Sequence, residues 1–239
     1  AFMGFIILFF NKGFLIDIDN TIYDYEPVHK VALQNSLEWI ANKTQITIPE
    51  LKNQYDEAKV INKFRNRGTA QSHSRLFYFQ IICENLQIPV PEIAFGAEKI
   101  YWDNFISNMK PKSGWLEFYE TIKNFPICFV TDLTSQIQFQ KLISLGLGKS
   151  KNISIVTSEE TGHEKPHPYM YLNALNKVKL SPNDVCMIGD DWEKDILGAT
   201  NVGIFAFYFN QNSENVIKEK KSFTQFQNFF ELRTIINES

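Results

Sequence analysis

The sequence is poor in cysteine, and its apolar opening is short. Three cysteines occur among 239 residues; they are widely spaced and each has apolar neighbours, so we expect buried thiols in a reducing, cytoplasmic compartment rather than disulfides or reactive thiols. Residues 2–10 are strongly apolar but far shorter than the ~20 residues that span a bilayer. They also lack the positive leader of a secretory signal, so we interpret them as an added edge strand or an extension.

The chain also lacks an excess of charge of either sign. Its 24 basic and 27 acidic residues give a net charge of -3, which provides no general attraction for a nucleic acid polymer or an anionic membrane. Any anion site must therefore be local. A hydrophobic share of 44% with 14% aromatic residues supplies a large core and argues against global disorder.

One stretch combines an apolar run with several polar groups. Residues 14–16 (Phe-Leu-Ile) are typical of a strand buried on both faces of a parallel sheet. Asp17 and Asp19 follow at its carboxyl end, where open α/β sheets bind ligands. Alternation along an extended chain points both carboxylates the same way. They repel each other unless a cation lies between them or one is protonated; the alternative is an acidic turn.

The rest of the chain changes character twice. Residues 23–110 contain four amphipathic helical stretches, among them one that Pro49 opens and one over residues 75–86, and have little strand signal. Residues 111–239 then alternate apolar strands with helices, which indicates a parallel sheet with right-handed crossovers. We therefore predict an α/β fold, a Rossmann-like parallel sheet flanked by helices, built from residues 1–22 and 111–239. An all-helical cap of residues 23–110 is inserted into it.

Three later strand ends carry polar residues. Thr131 and Asp132 follow the second strand, where a hydroxyl and backbone N–H groups can hold a phosphate oxygen. Lys165 directly precedes Pro166, and Pro166 and Pro168 hold the backbone extended around it. An acidic cluster that includes Asp190 and Asp195 follows the fourth strand and is typical of Mg²⁺ ligands. Taken singly, these residues also fit a helix cap, a surface lysine and a solvated turn.

The order of these motifs resembles the haloacid dehalogenase superfamily. The matching motifs are the Asp-x-Asp-Asn-Thr stretch from Asp17, an apolar strand into Thr131, Lys165-Pro166, and Gly-Asp-x₄-Asp-x₂-Gly-Ala from residue 189. The helical block resembles the cap of relatives whose insertion follows the first strand. Dehalogenating relatives lack the second aspartate, so Asp19 argues against that chemistry. Where relatives commonly carry Asn-Gly, this chain has Asp132-Leu133.

The resemblance implies roles for the acidic residues. Asp17 is the nucleophile that forms an aspartyl-phosphate, and Asp19 is the general acid and base. Mg²⁺ is held by the Asp17 carboxylate, the Asp19 backbone carbonyl and the Asp190 carboxylate. Asp195 orients this group without touching the metal.

The resemblance also implies a phosphate cradle and a place for specificity. Thr131, the Asp132 N–H and Lys165 bind the transferring phosphoryl oxygens, with Thr131 and Lys165 taking part in catalysis. His73 and Arg75 of the cap contact the substrate, although each of these residue types is more often a helix cap or a surface charge. Weaker candidates for the same role are Tyr23, Tyr25, Arg65 and Arg67.

The function implied is a Mg²⁺-dependent phosphatase of a small phosphomonoester. A nucleoside monophosphate and a sugar phosphate fit equally well. A phosphomutase that uses the same Asp17, and a non-catalytic module that binds a phosphorylated ligand, are the alternatives. We expect a monomer or homodimer whose partner is a small phosphorylated metabolite, with no nucleic acid polymer and no membrane.

Overall fold

The fold is centred on a six-stranded parallel sheet. The computed structural model describes residues 12–211 and 222–237, so the strand or extension expected at residues 2–10 lies outside the described residues. The sheet has the order β3-β2-β1-β4-β5-β6, and every pairing is parallel. The strands are β1 (Gly13–Ile16), β2 (Ile127–Thr131), β3 (Ile153–Thr157), β4 (Val185–Gly189), β5 (Phe205–Phe209) and β6 (Phe223–Phe226).

Helices connect these strands and fill a long insertion between β1 and β2. They are α1 (Tyr25–Thr44), α2 (Ile48–Arg65), α3 (Arg75–Leu86), α4 (Val90–Asn108), α5 (Trp115–Ile122), α6 (Ser135–Ser144), α7 (Ser158–Thr161), α8 (Pro168–Val178), α9 (Gly198–Thr200) and α10 (Phe229–Asn237). A 3₁₀ turn (Ala70–His73) precedes α3, and a π-helical turn (Trp192–Leu197) precedes α9. The fold class expected from the sequence, a Rossmann-like parallel sheet flanked by helices, is confirmed.

The position of β1 follows from its apolar sequence. All four of its residues are buried, and it pairs with β2 on one side and β4 on the other. Phe14 lies opposite Ile127 of β2 and Cys186 of β4. A strand without polar side chains is stable where neighbouring strands satisfy its backbone and helices cover both faces. The residues that follow β1 therefore emerge from the middle of the sheet edge.

The chain divides into two compact units. The α/β unit comprises the described residues of Ala1–Asp24, Lys110–Asp132 and Lys149–Ser239, and the helical unit comprises Tyr25–Met109 with Leu133–Gly148. The insertion predicted as residues 23–110 thus corresponds to α1–α4. Helix α6, which the sequence pattern assigns to the sheet-forming part, groups with the helical unit. No helix in the described ranges has both the length and the apolar character needed to cross a membrane.

The helical unit has conventional helix ends and an aromatic interior. Thr47 caps α2 by accepting a hydrogen bond from Glu50 N, with Pro49 in the first turn as predicted. Ser74 caps α3 in the same way. Tyr55 and Tyr101 are buried, with at most 1% of either residue exposed to solvent. Their rings are close to those of neighbouring tyrosine, phenylalanine and tryptophan residues. Such packing stabilises helices of limited intrinsic propensity.

Candidate active site

Asp17 and Asp19 lie directly beyond β1, as the sequence predicts. The Asp17 backbone N–H still donates to Ile188 O of β4 at 2.9 Å, so the sheet fixes the start of the motif. Asp17 is 5% exposed. Asp19 is more exposed, and its Oδ1 accepts a hydrogen bond from the Tyr23 hydroxyl. Burial is the largest cause that raises the pKa of Asp17, and the negative charge of Asp19 raises it further. The two carboxyl groups therefore interact electrostatically.

Lys165 is buried against the acidic residues. It is 4% exposed, and its ammonium donates to Asp17 Oδ1 at 2.5 Å and to Asp195 Oδ1 at 2.6 Å. The sequence pattern alone is also compatible with a surface lysine, and the structure excludes that alternative. A buried ammonium is stable only where carboxylates replace its water. Lys165 therefore links the ends of β1 and β4.

Thr21 has a defined contact that the sequence does not predict. Its hydroxyl lies 3.0 Å from Asp17 Oδ2 and 3.0 Å from Asp190 Oδ1, and Thr21 is fully buried. A hydroxyl has one proton to donate, so it cannot donate to two ionised carboxylates at once. Only its position four residues after the first aspartate of the motif could have pointed to this contact. Thr21 thus holds Asp17 and Asp190 near each other.

The acidic turn after β4 separates into residues with different contacts. Asp195 is fully buried, and its second oxygen, Oδ2, accepts from the Asp191 N–H at 3.0 Å. Asp191 caps the π-helical turn through the N–H groups of Glu193 and Lys194. At Gly189 a Cβ atom would lie 2.3 Å from Asp195 Cγ, so glycine is required there. The π-helical turn begins at Trp192, within this acidic cluster.

The Asp132 side chain connects two further loops. Its Oδ1 accepts a hydrogen bond from the Lys165 backbone N–H at 3.0 Å, and its Oδ2 accepts one from Lys194 Nζ at 2.8 Å. Thr131, at the end of β2, is fully buried, and its hydroxyl lies 3.3 Å from Asp132 O. The acidic residue that replaces the usual asparagine is thus paired with a cation. Lys194 was not predicted, and its place inside an acidic turn was the available signal.

Burial raises the pKa values of the carboxyl groups. It raises the pKa of Asp17 to about 7 against the opposing effect of Lys165, and that of Asp190 to about 7. It raises the pKa of Asp195 to about 6, again against Lys165. Three carboxylates thus share one ammonium. Burial is the largest cause of these raised pKa values, and the negative charge that Lys165 does not neutralise adds to it.

The same acidic excess fits a divalent cation. Carboxylate oxygens of Asp17, Asp190 and Asp195 lie within 4.8 Å of one another. Both oxygens of Asp195 already accept hydrogen bonds, from Lys165 and from the Asp191 N–H, which favours an orienting role for it. Oxygen ligands are those that Mg²⁺ prefers, and two positive charges would balance the charge of three carboxylates and one ammonium. The residues present therefore fit Mg²⁺.

The candidate substrate contacts His73 and Arg75 belong to the helical unit. His73 ends the 3₁₀ turn before α3. Arg75 is 7% exposed and donates to His73 O at 2.6 Å and to the Tyr25 hydroxyl. Arg65 and Arg67 are exposed. Contact of any of these residues with a substrate stays a prediction.

Comparison with known proteins identifies the family. The model of haloacid dehalogenase-like hydrolases matches residues 11–203. The chain belongs to this family. It is 32% identical over 208 residues to the ribulose-1,5-bisphosphate 5-phosphatase of Halopiger xanaduensis, covering 84% of this chain and 85% of the relative. It is 26% identical over 199 residues to the glyceraldehyde 3-phosphate phosphatase of Methanopyrus kandleri, covering 81% of each.

Solved structures agree on the fold. An HAD phosphatase from Thermococcus onnurineus superimposes with a TM-score of 0.72 at 21% identity, over 94% of this chain and 97% of the other. A 2-haloacid dehalogenase from Pseudomonas syringae pv. Tomato DC3000 gives 0.75 at 18% identity, over 95% and 98%. Because both chemistries share the fold, the fold does not choose between them. The phosphatase relatives confirm the predicted enzyme class of this hydrolase, a phosphoric monoester hydrolase.

Proposed function

We propose that the enzyme is a Mg²⁺-dependent phosphatase that hydrolyses a small sugar phosphate through an aspartyl-phosphate on Asp17. The observation that carries this proposal is the arrangement around Asp17: one carboxylate oxygen lies against the Lys165 ammonium and the other against the Thr21 hydroxyl. These contacts fix the carboxylate beside a cation that can also receive a phosphoryl oxygen. A preorganised nucleophile with an adjacent positive charge is what phosphoryl transfer requires.

Asp17, Asp190 and the Asp19 backbone carbonyl would hold the metal ion. When bound, Mg²⁺ supplies positive charge that offsets the repulsion between an anionic phosphate and an anionic nucleophile. Asp195 would keep Lys165 and the Asp191 backbone in place through its two hydrogen-bonded oxygens. The protein's own ammonium neutralises one of three carboxylates, which is the support for a second positive charge.

The first chemical step transfers the phosphoryl group to the protein. An oxygen of Asp17 attacks phosphorus, and the bond from phosphorus to the sugar oxygen breaks. Asp19 gives its proton to the departing alkoxide. The Tyr23 hydroxyl donates a hydrogen bond to Asp19 Oδ1 and so helps to orient this carboxyl group. Lys165, the Thr131 hydroxyl and the Asp132 N–H would bind the phosphoryl oxygens as charge moves onto them.

The second step returns the phosphoryl group to water. Asp19, now ionised, accepts a proton from a water molecule as that water attacks phosphorus of the aspartyl-phosphate. The bond from phosphorus to the Asp17 oxygen breaks, and inorganic phosphate and the free carboxylate are restored. One residue thus serves as acid and then as base, and the two steps together consume one water.

The proposed substrate class is a sugar phosphate rather than a nucleotide. The support is the pair of relatives named for ribulose 1,5-bisphosphate and glyceraldehyde 3-phosphate, which match over most of this chain. We propose that His73 and Arg75 contact the part of the substrate that is not transferred. Selectivity then depends on groups that the helical unit provides.

The test is phosphate release from a panel of sugar phosphates and nucleoside monophosphates, with Mg²⁺ and with EDTA. Asp17→Asn should lower the rate by at least about 10⁴-fold, as loss of a nucleophile does in other covalent mechanisms. Asp56→Asn, an exposed aspartate that pairs with Lys52 in α2, is the matched control. A wild type without activity on every compound, or full activity of Asp17→Asn, would overturn the proposal. Transfer of phosphate to a second sugar hydroxyl would indicate a mutase.

A further inference from the structure

Arg75 is a buried cation that forms no ion pair with any carboxylate of the described residues. It is 7% exposed, and among the described residues its hydrogen bonds go to a backbone carbonyl, His73 O, and to the Tyr25 hydroxyl. Removing a guanidinium from water is costly, and proteins usually offset the cost with a carboxylate. The groups that interact electrostatically with Arg75 most strongly are tyrosine hydroxyls, those of Tyr101, Tyr25, Tyr55 and Tyr78. Arg75 therefore retains an unneutralised charge.

The hydrogen bonds of Arg75 are also incomplete. Its Nε atom is buried and has no acceptor among the described residues. A guanidinium has five N–H donors arranged in a fork that suits two oxygen atoms of one anion. Buried donors are nearly always satisfied in folded proteins, so an unsatisfied one calls for a specific explanation. A missing oxygen-bearing ligand is such an explanation.

Three aromatic rings surround the Arg75 guanidinium. Arg75 Cζ lies 5.3 Å from the ring centre of Tyr78, 5.2 Å from that of Tyr101 and 5.6 Å from that of Trp102. Ring faces attract cations but do not neutralise a full charge in a buried setting. The rings thus form walls around a region of positive charge.

The surroundings confirm the sign of this region. His29 stacks on Tyr25 and contacts Tyr101 through Nδ1. Burial, and then the positive charge of Arg75, lower the pKa of His29 to about 3. A neutral imidazole is the form expected beside an uncompensated guanidinium.

We propose that the helical unit contains an oxyanion-binding site, in which the Arg75 guanidinium binds a phosphate or carboxylate group. The bound oxyanion can come from one of two sources. One source is the phosphate of a bisphosphorylated sugar that is not transferred, and this alternative rests on the proposed function. The other source is a separate anion such as inorganic phosphate. Planar, bidentate recognition of this kind is what arginine provides and lysine does not.

The side-chain N–H signal of Arg75 offers a direct test. The chain contains four arginines, so a ¹H–¹⁵N spectrum has four Nε–H signals, and Arg75→Lys assigns one of them by its loss. Full-length protein carrying Asp17→Asn, which prevents turnover, is titrated with inorganic phosphate, with ribulose 5-phosphate and with ribulose 1,5-bisphosphate. We expect a saturable downfield shift of the Arg75 signal as its N–H gains an acceptor.

The three titrations distinguish the sources. A shift with inorganic phosphate indicates a separate anion, and a shift with the bisphosphate alone indicates the second phosphate of a substrate. No shift of the Arg75 signal with any compound at about 20 mM, well above a millimolar Kd, overturns the proposal. Because this signal does not depend on turnover, it still reports on the site if the wild type fails to release phosphate.

A control variant tests whether the shift is specific to Arg75. Arg233→Lys replaces an exposed arginine of α10 and should leave the titration of the Arg75 signal unchanged. Loss of the Arg75 shift in this variant would show that the shift does not report on the proposed site. Circular dichroism checks that each variant is folded.

Discussion

The two units bury their cations in opposite ways. In the α/β unit Lys165 contacts two carboxylates, Asp17 and Asp195, and Asp190 lies within 4.8 Å of both. In the helical unit Arg75 contacts a carbonyl, a hydroxyl and three aromatic rings. The first cluster has an excess of negative charge and the second an excess of positive charge. Each excess costs stability unless a ligand of the opposite sign binds.

This difference separates two tasks of a phosphatase. Negative excess at the strand ends favours a metal ion, which can accompany an anionic phosphate to the nucleophile. Positive excess among aromatic side chains favours an anion directly, without a metal. A protein that kept every buried charge fully paired would have no electrostatic preference for either ligand. The unbalanced charges are therefore the features of the molecule that point most directly to binding.

The largest expected effect comes from removing the two cations in turn. Lys165→Met leaves Asp17 and Asp195 buried without a counter-charge and should lower the free energy of unfolding by about 3–5 kcal/mol near neutral pH. Arg75→Met removes a charge that has no acidic partner, so its cost should be smaller, about 1–3 kcal/mol for the lost hydrogen bonds. Urea denaturation in EDTA measures both.

The same two variants test whether Lys165 and Arg75 really differ in how well their charges are paired. If Arg75→Met destabilises the protein as much as Lys165→Met does, the two cations are equally well paired. Lowering the pH should shrink the difference, because protonated carboxyl groups no longer need Lys165. Lys99→Met, which removes an exposed lysine paired with Asp103, controls for the loss of a surface ion pair and should change stability by less than about 1 kcal/mol.

A second, intermediate effect concerns pH and the metal. Burial raises the pKa values of Asp17 and Asp190 in the folded protein to about 7, well above the ordinary value for an aspartate. The folded state therefore binds more protons than the unfolded state between these values. The contribution of these two groups to the stability of the metal-free protein should be greatest below about pH 4. It should fall by on the order of a few kcal/mol as the pH rises through 7.

Thermal unfolding at several pH values, with EDTA and with Mg²⁺, measures this effect. A bound divalent cation replaces the protons, so Mg²⁺ should raise the melting temperature more at pH 8 than at pH 5. Asp190→Asn should reduce the pH dependence. If the melting temperature in EDTA instead rises steadily with pH, in wild type and variant alike, ionisation of the acidic cluster does not destabilise the metal-free protein.

The sequence predicted the α/β unit better than the helical unit. The closeness of Asp17, Lys165 and Asp190 could be predicted because parallel strands bring their carboxyl ends to one edge, so residues far apart in the chain converge by topology. Thr21 and Lys194 were missed because their contacts depend on side-chain direction within a turn.

The helical unit offers no such rule. Arg75 was proposed from its place near a polar loop, but its burial among rings could not be foreseen. Helical periodicity predicts which face of a helix is buried, but not which residues of another helix pack against that face. The grouping of α6 with this unit was missed for a related reason. Its apolar pattern fits a helix between two strands equally well, so the sequence did not reveal that α6 belongs to the helical unit.

The smallest expected effect tests whether Asp132 belongs to the balanced part of the α/β unit. Asp132→Asn keeps an acceptor for the Lys165 N–H but removes the ion pair with Lys194, which is partly exposed. We expect a loss of about 0.5–1.5 kcal/mol in unfolding free energy, measured by urea denaturation.

Lys194→Met should cost a similar amount, and the double variant should show coupling because the two side chains share one contact. Asp132 and Lys194 form a pair of equal and opposite charge, so these variants should leave the pH dependence of stability nearly unchanged, in contrast to Asp190→Asn. A large change in pH dependence on replacing Asp132 would mean that its charge adds to the cluster around Asp17, and the negative excess there would be greater than three carboxylates against one ammonium.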